Sequence, residues 1–111
     1  MPNLCNDAHD CPLSTADAWL QTNIAPLVGS AQFQRDGLLI ITFDEAADSD
    51  RTHGGGRVAW VAVSGKSKHG YRSTALYQHE STLRLTAEAL GLSVFPNRAA
   101  SAPDMREFFI F

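Results

Sequence analysis

The sequence predicts an α/β fold in which a few-stranded, largely parallel sheet is flanked by helices. Residues 38–43 form a continuous apolar run of strand length, which is typical of a strand buried on both faces of a parallel sheet. The predicted order of elements, helix, strand, strand and helix, is that of an α/β layer. Two strands are too few for a stable parallel sheet with both faces covered, so we expect this sheet to have further strands as neighbours.

The first predicted helix begins at Ser14, a residue type that caps helix amino termini. Its apolar face is formed at helical spacing by Trp19, Leu20, Ile24 and Leu27. Pro26 is expected to end this helix near Ile24, because proline has no N–H and restricts the residue before it. A further short turn of helix is predicted over residues 30–35.

After the apolar strand, residues 44–56 are predicted to form a polar loop, and residues 57–64 a second strand. A third helix is predicted from about residue 78 to residue 90. Its apolar face is expected to contain Leu83, Ala87 and Leu90. Gly91 is placed to end this helix in the left-handed conformation that glycine adopts readily. Residues 93–111 are predicted to be mostly irregular.

The composition favours a soluble globular protein of one small domain. The chain has 111 residues, of which 44% are hydrophobic and 19% charged, and its net charge is −3. The nine Lys and Arg residues are scattered, which argues against a nucleic-acid partner, since such proteins normally present a basic face. No apolar stretch reaches the length of a transmembrane segment. Cys5 and Cys11 could form a disulfide, bind a metal ion or remain free thiols.

Asp44 and Glu45 directly follow the apolar strand. In open α/β sheets, ligands bind beyond the carboxyl ends of the strands. Two adjacent carboxylates at that position repel each other, and a bound cation relieves the repulsion. Position alone leaves two interpretations open, a metal site or a turn with a solvated acid.

Two other clusters carry possible metal ligands. Residues 6–10 place Asp7 and His9 in one polar loop, and carboxylate and imidazole are common ligands of transition metals. His79 lies at the start of the last predicted helix, where the helix dipole favours the neutral, metal-binding imidazole. For each cluster the simpler alternative is a hydrogen-bonded turn or a solvated side chain.

Four segments resemble, in order, the phosphoesterase family of bacterial acid phosphatases and phospholipases C, within the alkaline phosphatase superfamily. These segments are residues 2–11 (PNLCNDAHDC), residues 39–45 (LIITFDE), residues 54–56 (GGG) and residues 77–84 (YQHESTLR). The resemblance implies a partial alkaline-phosphatase-like layer. It also implies metal-dependent hydrolysis of phosphate monoesters or phosphodiesters, with divalent metal ions as cofactors and a phosphate ester as substrate.

The resemblance also implies roles for individual residues. Asp44 and Glu45 would bind the metal ion nearest the nucleophile, and the other metal-site residues would be Asp7, His9 and His79. Asn6 would contact the substrate, and Arg57 could contact the phosphate or be a surface arginine at the start of a strand. Where many relatives have Asp-His-Val after the glycines, this chain has Arg57-Val58, so a histidine is missing at this point.

No nucleophile motif occurs in the sequence. The family places its first acidic metal ligand and its nucleophile in an amino-terminal half. Residues 1–111 are therefore expected to be one carboxyl-terminal portion of a phosphoesterase domain, inactive alone and in contact with the missing half. Relatives are often exported, which suggests an extracellular or periplasmic full-length protein.

Two alternatives remain at this stage. The first is a non-enzymatic metal-binding or interaction domain that exposes acids and histidines. The second is another member of the superfamily, such as a sulfatase or a phosphoglycerate mutase. Sulfatases require a Cys or Ser in a Cys/Ser-x-Pro-x-Arg setting, and the sequence Cys11-Pro12 does not match it, because proline follows immediately.

Overall fold

The structure is a computed structural model that describes residues 2–111, in two compact units divided after Gly65. The first unit contains three helices, α1 (Leu13–Asn23), α2 (Ala25–Val28) and α3 (Ala31–Asp36), and two strands, β1 (Leu39–Thr42) and β2 (Trp60–Val63). The second unit contains helix α4 (His79–Ala89) and two 3₁₀ helices, Asn97–Ser101 and Arg106–Phe108. The prediction of an α/β fold is confirmed at this level.

The bounds of the helices in the first unit follow the local sequence signals with one exception, and the predicted apolar face of the first helix is wrong at Leu27, which lies in α2 and is 51% exposed. Pro12, and not Ser14, precedes the first turn of α1, and no side chain caps that helix. The predicted Ser14 cap is therefore wrong. The predicted end near Ile24 is confirmed, and Pro26 lies in the first turn of α2, where its missing N–H costs no hydrogen bond. Ser30 caps α3, because its Oγ accepts the backbone N–H of Phe33 at 3.2 Å.

The two strands pair antiparallel, with Ile40 opposite Ala62 and Ile41 opposite Val61. The predicted parallel pairing is wrong for these strands. Parallel neighbours need a crossover connection, usually an α-helix, whereas the segment between β1 and β2 contains only the 3₁₀ turn Thr52–Gly54. No β1 residue is fully buried, so the prediction that both of its faces are buried is also wrong for this pair.

Helix α4 begins at His79 and ends in the left-handed Gly91 turn, as predicted. The turn is stabilised by hydrogen bonds from the N–H of Gly91 to the carbonyl of Glu88 (3.0 Å) and from the N–H of Leu92 to that of Ala87 (2.9 Å). The predicted apolar face is mostly wrong. Ala87 is buried, but Leu83 is 45% exposed and Leu90 is 70% exposed.

The buried face of α4 contains Ser81, Leu85 and Ala87, and the carboxyl-terminal segment supplies the rest of this core: Ala99, Ala102, Met105 and Phe109. Arg84 is half-buried and donates from Nη1 to the carbonyl of Ala102 at 2.7 Å. This bond joins α4 directly to the segment that follows it. None of the helices in residues 2–111 is both long enough and apolar enough to span a bilayer.

Candidate functional site

The acid pair lies just beyond β1, on the loop that connects the two strands. Strand β1 ends at Thr42, and Phe43, Asp44 and Glu45 are all exposed. The Thr42 hydroxyl donates to the carbonyl of Ala59 at 3.0 Å, which holds the two ends of this loop together. The predicted location of the pair, directly after a strand and open to solvent, is confirmed. Its predicted role in metal binding stays a prediction.

The loop with Asp7 and His9 is closed by a disulfide between Cys5 and Cys11, whose Cα atoms are 4.6 Å apart. Of the alternatives left open by the sequence, the structure has the disulfide. The Asp7 carboxylate accepts the backbone N–H of His9 at 3.0 Å. The loop is therefore fixed by a covalent bridge at its ends and by this hydrogen bond inside it.

The His9 side chain is exposed, and its Nδ1 lies 2.7 Å from Oδ1 of Asp10. This hydrogen bond is the largest of the effects that raise the pKa of His9. The charges of Asp10, Asp7 and Glu45 raise it further. Glu45, from the loop after β1, therefore acts on the imidazole of the disulfide loop. The contribution of Glu45 is the smallest of these effects, so the electrostatic interaction between the two segments is weak.

A carboxylate on Nδ1 has two consequences for the chemistry of His9. When Nδ1 carries the proton, Nε2 is the nitrogen that faces a ligand, and a carboxylate partner commonly orients metal-binding histidines in this way. The raised pKa also favours the imidazolium, a cation that donates to phosphate oxygens but does not bind metal. Protonated His9 can therefore bind an anion directly, whereas it can bind a metal cation only if that cation displaces its proton.

Asp50 organises the glycine-rich part of the loop after the acid pair. Its carboxylate accepts the backbone N–H of Thr52 at 2.9 Å and that of Arg57 at 2.9 Å. These two bonds are the largest of the effects that lower the pKa of Asp50 to about 2. This role of Asp50 was not predicted from the sequence. The available signal was the Asp-x-Thr spacing, since aspartate often accepts the N–H two residues on.

The remaining predicted site residues lie in different parts of the chain. Asn6 is half-buried in the disulfide loop, and its backbone N–H donates to Oδ1 of Asn3 at 3.0 Å. Arg57 is exposed at the end of the Asp50-stabilised turn, before β2. His79 is the first residue of α4, in the second unit, and is exposed. Its position at a helix amino terminus is confirmed, whereas its role as a ligand stays a prediction.

The donor atoms have suitable chemistry for a divalent metal ion, because carboxylates and a carboxylate-oriented imidazole are common ligands. Their arrangement does not complete a site. Within residues 2–111, no group of three or more His, Cys, Asp and Glu side chains is placed so as to hold a metal ion. The described residues therefore do not by themselves fit a metal ion, and no chemical step is derived through one.

Comparisons with known proteins point to one family. The sequence model of the Phosphoesterase family matches residues 1–93. The chain is 29% identical over 94 residues to an acid phosphatase of Aspergillus fumigatus, covering 82% of this chain and 20% of that protein. It is 41% identical over 44 residues to a phosphate-repressible acid phosphatase of Penicillium chrysogenum, covering 40% of this chain and 11% of that protein.

A probable acid phosphatase of Kluyveromyces lactis is also 41% identical over 44 residues, covering 40% of this chain and 10% of that protein. The chain thus spans only a tenth to a fifth of the length of these relatives. No solved structure matches it significantly.

Proposed function

Because this chain belongs to the Phosphoesterase family, we propose that it forms part of an enzyme that hydrolyses phosphate esters, of the acid phosphatase type. The observation that carries the proposal is the exposed acid pair directly after β1, together with the disulfide-closed loop that presents His9. Both segments lie inside the region that the family model matches. Three similar proteins are named as acid phosphatases or as a probable one, which favours phosphate monoesters over the phospholipase C type of diester.

The proposed roles of the cationic and amide groups follow from their chemistry. His9, with its pKa raised by Asp10, donates from Nε2 to a phosphoryl oxygen and offsets negative charge as it develops. Arg57 presents a guanidinium whose planar donors match phosphate oxygens. Asn6 supplies an amide N–H₂ from the same disulfide loop as His9. Asp7 holds the backbone of His9, and Asp10 holds its ring through Nδ1.

We also propose that the intact enzyme uses divalent metal ions, with Asp44 and Glu45 as ligands and with Asp7, His9 and His79 as further candidate ligands. The support is the oxygen and nitrogen chemistry of these side chains together with the family membership. When bound, such an ion would polarise phosphoryl oxygens and activate a nucleophile. The ligands needed to complete the site, and the nucleophile, are proposed to come from a further part of the domain.

In this proposal residues 1–111 are one portion of a phosphoesterase domain with an alkaline-phosphatase-like layer, and the open edges of the β1–β2 pair are where further strands would add. The disulfide between Cys5 and Cys11 fits an oxidising compartment. An extracellular or periplasmic location is therefore proposed.

The first test uses inorganic phosphate as the probe and the ¹⁵N-labelled chain. We expect phosphate to shift the amide signals of residues 6–10 and of Arg57, and we expect Arg57→Gln to weaken this binding at least about tenfold, which is about 1.4 kcal/mol. Arg35→Gln is the matched control, because Arg35 is an exposed arginine on α3. Equal loss in both variants, or shifts spread evenly over the surface, would contradict the phosphate site.

The second test separates a metal site from a merely acidic surface. Zn²⁺, Mn²⁺ and Ca²⁺ are titrated calorimetrically into the chain, into Asp44→Asn and into Asp17→Asn, which removes an exposed acid from α1. Because the chain holds only part of the proposed site, we expect weak binding, and we expect only Asp44→Asn to lower its affinity. A uniform small loss would support a non-enzymatic acidic surface.

The purified chain is also expected not to hydrolyse p-nitrophenyl phosphate at enzyme-like rates, and chelator-sensitive turnover would disprove the need for a further part of the domain.

A further inference from the structure

Glu107 is the centre of a hydrogen-bonded cluster in the second unit. Its carboxylate accepts the hydroxyl of Tyr71 at 2.9 Å, that of Tyr77 at 2.8 Å, and that of Ser73. These are side-chain bonds across 30 to 36 residues of sequence. The three donors are the largest of the effects that lower the pKa of Glu107, with Ser73 contributing most. A carboxylate bound by three hydroxyls strongly restricts the segment that carries them.

Backbone contacts hold Glu107 in place. The N–H of Lys68 donates to the carbonyl of Phe108 at 2.8 Å, and the N–H of Ile110 donates to the carbonyl of Lys66 at 2.8 Å. The Phe108 ring also packs edge-on against Tyr71, with centroids 5.5 Å apart. The segment after α4 therefore forms a short antiparallel pairing with the segment before α4, and Glu107 extends from that pairing.

The family match covers only one of the two segments that meet at Glu107. The match ends at residue 93, whereas Glu107, Phe108 and Ile110 lie beyond it, and their backbone partners Lys66 and Lys68 lie inside it. The residues that Glu107 binds lie inside the match, in the connection that leads into α4. A carboxyl-terminal segment outside the matched region therefore fixes a connection inside it.

Tyr77 brings this restraint close to the candidate site residue His79. Besides donating to Glu107, the Tyr77 hydroxyl lies 3.2 Å from the carbonyl oxygen of Asp104. Two residues after His79, Ser81 is 1% exposed and its backbone N–H donates to the carbonyl of Gln78 at 2.9 Å. His79 is thus an exposed residue between two neighbours that are both held in place.

We propose that Glu107 is a positioning residue that fixes the start of α4 through Tyr77, and so sets the direction in which His79 is presented. This inference rests on the proposed function only in giving His79 a role as a ligand. The physical claim, that Glu107 orders His79, stands or falls without any ligand. A failed metal or phosphate titration and a failed positioning claim are therefore distinguishable.

The first readout asks whether the cluster exists in solution. The chain has two tyrosines, and both donate to Glu107. The pKa of Tyr71 is raised chiefly by its bond to Glu107. In the ultraviolet titration of tyrosinate, Glu107→Gln should move the Tyr71 transition to lower pH, with circular dichroism confirming that the fold persists.

The second readout asks whether the cluster orders His79. Tyr77→Phe and Tyr71→Phe each remove one hydroxyl donor to the carboxylate of Glu107, but only Tyr77 adjoins α4. The imidazole signals of His79 are followed by NMR in the folded chain without ligand. We expect Glu107→Gln and Tyr77→Phe to shift these signals and broaden them, and Tyr71→Phe to change them much less.

Two results would overturn the proposal. One is a His79 signal that is unchanged in folded Glu107→Gln and Tyr77→Phe. The other is an equal change in all three variants, which would indicate general loosening of the unit. If Glu107→Gln does not fold, the comparison between Tyr77→Phe and Tyr71→Phe decides alone, since each retains the Glu107 charge and two of its three donors.

Discussion

The carboxylate of Asp50 accepts the backbone N–H of Arg57 at 2.9 Å, across seven residues that include three consecutive glycines. The other carboxylate oxygen accepts the N–H of Thr52, so one side chain fixes both ends of the turn. Glycines alone would leave this turn with many conformations. Asp50 therefore restricts the turn that carries Arg57, the residue proposed to contact phosphate.

The Asp50 bonds predict how stability depends on pH. The folded pKa is about 2, against an ordinary value of 3.8. Because the folded value is the lower one, the carboxylate stabilises the fold fully above the ordinary pKa, and the contribution is lost as pH falls from there towards about 2. Urea unfolding is measured over this range for the wild type and Asp50→Asn.

We expect the wild type to be the more stable protein at about pH 6 and the difference to shrink at acid pH. Asp48→Asn controls for loss of one negative charge from an exposed position of the same loop. A difference between wild type and Asp50→Asn that is as large near pH 2 as near pH 6 would show that the charge of Asp50 is irrelevant.

Gly56 is the glycine of this turn that a side chain should disrupt most. Its φ is +80°, and a Cβ there would lie 2.5 Å from Cβ of Ala46 and 2.6 Å from the carbonyl oxygen of Asp50. We expect Gly56→Ala to lower the free energy of unfolding by about 1–3 kcal/mol. The measurement is urea unfolding at neutral pH.

Two neighbouring glycines separate the causes. Gly54 also has a positive φ, +96°, but a Cβ there meets nothing within 4 Å, and Gly55 has neither the positive φ nor the contacts. Gly54→Ala should therefore report backbone strain alone, and Gly55→Ala should be close to neutral. The same loss at all three positions would argue against a specific packing of Gly56 on Ala46.

Local signals predicted the elements of this chain better than their pairing. Pro26, Ser30 and Gly91 act within one turn of the chain, and each ends or caps a helix where its chemistry requires. Strand pairing depends on which distant segments meet. The apolar run before Asp44 predicted burial on both faces, which β1 does not show in this pair, and it could not identify the strand that pairs with its edge.

In the candidate site, too, local features were predicted better than long-range contacts. Asp44, Glu45 and His79 were placed correctly at the ends of elements, because strand and helix boundaries are local. The coupling of His9 to Glu45 needed the folded chain. The role of Glu107 had no sequence signal, since its donors are at least 30 residues away.

The buried face of helix α4, which contains Leu85 and not Leu83, can be tested by mutation. Leu85 is 5% exposed and Leu83 is 45% exposed, although the sequence pattern assigned Leu83 to the core. We expect Leu85→Ala to cost about 2–5 kcal/mol, the usual range for a buried leucine. Leu83→Ala, in the same helix with the same change in helix propensity, should cost about 1 kcal/mol or less. Thermal and urea unfolding both measure this, and the reverse order would restore the face predicted from sequence.

The disulfide between Cys5 and Cys11 should stabilise the first unit mainly by restricting its unfolded chain. For a loop of seven residues, the loop-entropy estimate is about 2 kcal/mol. Urea unfolding of the first unit, followed by Trp19 and Trp60 fluorescence, should therefore shift to lower urea when a reductant is added. The Cys5→Ala, Cys11→Ala double variant should match the reduced wild type and should not respond to reductant.

Because the bridge closes the loop that carries His9, reduction should also weaken phosphate binding measured by NMR. Two reactive thiols in the untreated, unfolded chain would show that the bridge does not form, and a shift of equal size in the double variant would assign the reductant effect to another cause.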